Sequence, residues 1–149
     1  MNTLKQFIFL KAVISLVILP VFLIAQNFSV ELQLQNQPSE IVVFGSVRGD
    51  NFIPIDSIQV SESTARVKFV FPEKALAGVY RIILGNTSYE KIMNKPPHQL
   101  DFIFDNENIM FETDFEATEE KLKVMQSKEN TAWYSFRAKD RELMEKISA

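Results

Sequence analysis

Residues able to do chemistry are sparse in this chain. The single histidine, His98, lies between "KPP" and "QLD" in a stretch that reads as loop. With no second histidine, no cysteine and no nucleophile motif to work with, it reads as a loop-surface residue rather than a catalyst or metal ligand. Acidic side chains gather in "DNEN" (Asp105 to Asn108) and at Asp114, Glu116, Glu119 and Glu120. Hard oxygens of this kind suit calcium, but "DNEN" lacks the ligand spacing and the glycine of a calcium-binding loop. A turn followed by a solvated acidic linker accounts for them. The two glycines of "GVYRIILG" enclose a strand, and no Lys-Ser or Lys-Thr pair follows, which excludes a phosphate loop. "NFS" and "NTS" match the acceptor tripeptide for N-linked sugar, a pattern short enough to arise by chance. Trp133, Tyr134 and Phe136 form the remaining cluster. Aromatics at helical spacing usually pack, and a binding platform is the alternative. No catalytic, cofactor-binding or metal-ligating residue emerges.

The chain that must position these groups has 149 residues, 46% of them hydrophobic, enough for one globular domain. Its first segment is read separately. Lys5 and Lys11 precede the charge-free run "AVISLVILPVFLIA" (Ala12 to Ala25), the pattern of a secretory signal cleaved before Gln26. An uncleaved N-terminal membrane anchor is the alternative, opposed by Lys11 and Pro20, which shorten and break the span. Removing residues 1–25 takes away those two lysines and moves the net charge from -3 to -5. An acidic exported domain is not an electrostatic binder of nucleic acid, and once the signal is cleaved no stable membrane insertion is expected. The absence of cysteine excludes disulfide staples, bacterial lipoprotein anchoring and thiol redox chemistry by this chain's own side chains.

From Asn27 to about Met125 the apolar residues alternate with period two. "FSVELQLQ" turns Phe28, Val30, Leu32 and Leu34 to one face. "IVVFGSVRG", "NFIPIDSIQV", "ARVKFVF" and "GVYRIILG" follow as strands, with Pro54 marking an edge or a bulge. "SYEKIM" reads as a short strand. "LDFIFDNENIMFETDF" reads as a hairpin about its "DNEN" turn, and "EKLKVM" adds a last strand. Seven or eight short antiparallel strands argue for a β-sandwich or open barrel over residues 26–126. Residues 127–149 switch to helical period. Ser127 is placed to cap the helix by accepting the N–H of its third residue. Trp133, Phe136, Leu143 and Ile147 share one face, interrupted by Asp140, with Met144 beside it. Trp133 and Phe136 are expected to dock near the sandwich. Leu143 to Ile147 are expected to fray, or to meet a protein partner or a second copy.

In order, "IDSIQV", "ARVKFVF", "GVYRIILG", "LDFIFDNENIMFETDF" and "SKENTAWYSF" resemble the N-terminal β-sandwich domain, of unknown function, of secreted thioredoxin-like thiol-disulfide oxidoreductases (the TlpA/ResA-like, AhpC/TSA-related group). The correspondence runs through Gly78-Val79-Tyr80-Arg81-Ile82, Thr113-Asp114 and Ser127-Lys128-Glu129-Asn130. It spans roughly residues 27 to 140. In such proteins the helix leads through a connector into a thioredoxin fold bearing Cys-x-x-Cys; here no cysteine stands to receive an active-site role. The resemblance implies a non-catalytic module of the Gram-negative periplasm or cell envelope, a scaffold or recognition domain. An N-terminal fragment of an oxidoreductase and a small-ligand carrier with a Phe-lined interior are the alternatives.

Overall fold

A computed structural model describes residues 27–148; the signal assigned to residues 1–25 lies outside them. The strands are β1 (Ser29–Gln35), β2 (Glu40–Arg48), β3 (Asn51–Val60), β4 (Ala65–Val70), β5 (Gly78–Gly85), β6 (His98–Phe104), β7 (Ile109–Asp114) and β8 (Lys123–Gln126). A short helix α1 (Ser88–Ile92) lies between β5 and β6, a 3-10 turn (Phe115–Ala117) follows β7, and α2 (Lys128–Ser148) closes the described chain.

The strands form two four-stranded sheets, ordered β4-β1-β7-β8 and β3-β2-β5-β6, so the architecture is a β-sandwich. Their inward faces are those set by alternation: Val30, Leu32 and Leu34 from β1, Val67 and Phe69 from β4, Tyr80, Ile82 and Leu84 from β5. Phe rings from both sheets fill the space between. Phe71 stacks on Phe104 with centroids 3.8 Å apart, and Phe44 stacks on Phe69 at 5.2 Å. Each such ring contributes about 1.5–3 kcal/mol by leaving water, so this interior can hold the fold without covalent staples.

Three expectations from the sequence are corrected. β6 and β7 are not a hairpin. β6 pairs with β5 in one sheet, and β7 pairs with β8 and β1 in the other, so "DNEN" carries the chain across the sandwich. Both strands point Phe at the same interior from opposite sides, and alternation cannot distinguish that from pairing. The pairing of β7 with β1 is parallel, not the antiparallel sense expected of every strand. "SYEKIM" is not a strand either. Thr87 accepts the N–H of Glu90 at 3.2 Å while the Glu90 carboxylate receives the Thr87 N–H at 2.9 Å, a reciprocal cap that starts α1.

Pro54 sits on β3, an edge strand, and beside a bulge. Phe44 faces Asp56 and Gly45 faces Pro54, leaving Ile55 as the extra residue. The β3 backbone comes so close there that a Cβ on Gly45 would stand 2.3 Å from the carbonyl oxygen of Ile53. Only glycine fits.

Candidate functional site

The helix α2 is fastened to the sandwich through its polar residues. Ser127 Oγ accepts the N–H of Asn130 at 3.1 Å, the cap anticipated from its position. The carboxylate of Glu107, from the β6–β7 crossover, bonds the same hydroxyl. A negative group there also suits the positive end of the helix.

Asn130 is fully buried and faces the outer edge of β6. Its Oδ1 accepts the Ile103 N–H at 2.8 Å, and its Nδ2 donates to the Ile103 carbonyl at 2.7 Å. One side-chain amide thus stands in for a residue of a missing neighbour strand. One turn on, the Tyr134 hydroxyl donates to the carbonyl of Asp101. The spacing follows from geometry. Four residues of helix rise about 6 Å, and two residues of strand span about 6.7 Å. Asn130 and Tyr134 therefore meet Ile103 and Asp101 in step, with the helix antiparallel to β6. The Tyr134 ring stands edge-on to Phe111 of the core at 6.4 Å, and burial pushes its phenol pKa well above the ordinary value. Arg137 lies over that ring at 5.9 Å and pairs with Glu119 at 2.9 Å; Arg141 reaches the same carboxylate at 3.2 Å.

The docked face of α2 is thus Asn130, Tyr134, Arg137 and Arg141, recurring at steps of three and four. This corrects the expectation that Trp133 and Phe136 dock: Trp133 is 37% exposed and Phe136 69%. At 100° per residue they fall beside the docked face, not on it. Leu143, Met144 and Ile147 are 58%, 61% and 79% exposed. Of the aromatic cluster only Tyr134 is fastened. Asn130 and Arg137 carried no apolar signal and went unread, although Asn130 closes the "SKEN" motif.

His98 is the first residue of β6 and half-buried, not a free loop side chain. Its Nε2 is 2.9 Å from the Glu90 carboxylate and its ring lies on Phe115, centroids 4.2 Å apart. The histidine contact, then the Thr87 N–H, holds the Glu90 carboxyl down to about 2. Asp114 accepts from Lys121 at 2.7 Å, from Asn36 at 3.0 Å and from the Glu116 N–H at 3.0 Å. Lys121, then Asn36, lowers its pKa. In the crossover, Asn108 Oδ1 accepts the Ser29 N–H at 2.9 Å. The acidic stretch is therefore bonded into the fold at these positions. On the outer face of its sheet, Arg81 grips Asp101 with two bonds, of 2.5 and 2.8 Å.

No protein-family model matches this chain, and no curated protein matches it. Among solved structures, the 5-hydroxyisourate hydrolase of Klebsiella pneumoniae is similar over 67% of this chain and 93% of its own, at 14% identity and a TM-score of 0.36. The sandwich assignment stands on the two sheets themselves.

Proposed function

We propose that this protein is a non-catalytic interaction module of the cell envelope, a scaffold or recognition domain that works with thioredoxin-like thiol-disulfide proteins. One observation carries the reading. α2 is fixed through its polar side while Phe136, Leu143 and Ile147 stand in solvent. Apolar side chains held out together on a fastened helix favour a protein partner. The ionisable groups support it from the other side: Glu90 caps a helix and holds His98, and Asp114 holds Lys121 and Asn36. With no cysteine the chain encodes no thiolate of its own. The envelope assignment rests on the apolar leader and on the resemblance of the strand and helix motifs.

Titration calorimetry against a thioredoxin-fold oxidoreductase of the same envelope tests this. Saturable binding by the purified protein is expected, weakened by Phe136→Glu. Turnover of a disulfide substrate by the protein alone would refute the non-catalytic reading. Intact mass from the periplasmic fraction is expected to lack residues 1–25, and a full-length mass in the membrane pellet would mean an anchor instead.

A further inference from the structure

The exposed side of α2 has the spacing of a coiled-coil seam. Trp133, Phe136, Asp140, Leu143 and Ile147 follow one another at steps of three, four, three and four. Asp140 stands mid-seam, exposed, while the charges around it are engaged: Arg137 and Arg141 with Glu119, Lys146 with Glu142. Among the described residues Asp140 has no ion-pair partner. Lys128 and Lys139, eleven residues apart, line the flank turned away from the sandwich, where Lys146 already has Glu142.

We infer that this seam seats a helix of another protein, one carrying a Lys or Arg opposite Asp140 and carboxylates along the rim that faces Lys128 and Lys139. The inference rests on the interaction-module reading and names the partner's chemistry. A second copy of this chain does not fit. Pairing α2 with itself sets Asp140 against Asp140, or against an apolar residue of the seam such as Phe136 or Leu143. Either way a carboxylate is desolvated without a basic partner, and in the antiparallel arrangement lysine rim also faces lysine rim. A lipid surface does not fit either. The lysines suit anionic headgroups, but the same seating drives Asp140 into the acyl boundary, where nothing neutralises it. A basic residue on a partner helix satisfies Asp140, and an acidic rim satisfies the lysines.

Two synthetic amphipathic peptides of the length of α2, with Leu along the seam and Glu along the rim, are made to differ only in Lys or Glu at the central seam position. Trp133 is the only tryptophan in the chain, so its emission reports seating. The Lys-centred peptide is expected to shift that emission to the blue and to bind about tenfold or more tighter than the Glu-centred one. Asp140→Lys is expected to reverse the preference, Asp140→Asn to abolish it, and Phe136→Glu to remove binding of both with the circular dichroism unchanged. Equal affinity for the two peptides, or no response to the Asp140 variants, overturns the inference. So does tight uptake by phosphatidylglycerol vesicles, which would assign the seam to a membrane, or a dimer in sedimentation that Phe136→Glu dissolves. A partner protein that binds Phe136→Glu undiminished sinks the seam while leaving the interaction module standing.

Discussion

Asn130 joins an edge strand to a helix with a single planar group, and both halves of that group are needed. Its oxygen meets an N–H and its nitrogen a carbonyl of the same residue, Ile103. Asn130→Ala leaves both backbone groups unpaired under the helix and is expected to cost about 2–3 kcal/mol in urea denaturation. Asn130→Asp keeps the acceptor but sets a carboxylate against the Ile103 carbonyl. At neutral pH it should be worse than alanine, and it should recover as acid protonates it into a donor. Next along the helix, truncations of neighbouring aromatics are expected to separate cleanly. Tyr134→Ala removes a ring packed on Phe111 and should cost about 3 kcal/mol. Trp133→Ala, at a position 37% exposed, should cost less than about 1 kcal/mol. Equal costs for the two would contradict the docking described above.

At the scale of the element, α2 is 21 residues long, and its last side-chain bond to the sandwich comes from Arg141. Hydrogen exchange along it should therefore show strong protection up to about Arg141 and a steep fall beyond. Uniform protection to Ile147 in a verified monomer would mean that the second half is packed as well. The sequence was most readable where one physical rule acts alone. β1 buries one face, and alternation identified its inward Val30, Leu32 and Leu34 correctly. Pro54 announced an edge or a bulge, because a missing donor is tolerated at either, and β3 supplies both. Ser127 announced its cap because few residues serve at that position. Reading failed where two rules coincide. β6 and β7 alternate as a hairpin would, yet they face one another across the core, and pairing partners leave no mark on periodicity. Helix α1 has only five residues, too few for a helical period, though the Thr87–Glu90 spacing of its cap was there to be read. The docked face of α2 is polar, so a search for apolar stripes selected the face that stays in solvent. The apolar face was legible; the polar face that fastens the helix was not.

For the molecule as a whole, acid is the informative perturbation. His98 and the Thr87 N–H hold Glu90 down to about 2, and Lys121 with Asn36 lowers Asp114. Both carboxyls ionise more readily in the folded chain than in the unfolded one. Their contribution is complete above the ordinary values of 4.5 and 3.8 and drains away as pH falls through the folded values. The urea midpoint should drop below about pH 4.5, and Glu90→Gln or Asp114→Asn should flatten that drop. The wiring of the sheets has a consequence of another kind. β1 lies between β4 and β7, and its pairing with β7 is parallel, Val30 opposite Ile109. During synthesis β2 can find β3 as soon as Val60 has been made, whereas β1 waits for a strand encoded near the other end of the message. Contacts that span so much sequence form late and slowly. A nascent chain halted before Ile109 would hold β1 on β4 alone, a two-stranded ribbon that is marginal in water. The order of emergence keeps one half of the sandwich pliant until β7 arrives, and in that interval a chaperone or a narrow channel can still handle the polypeptide as a thread.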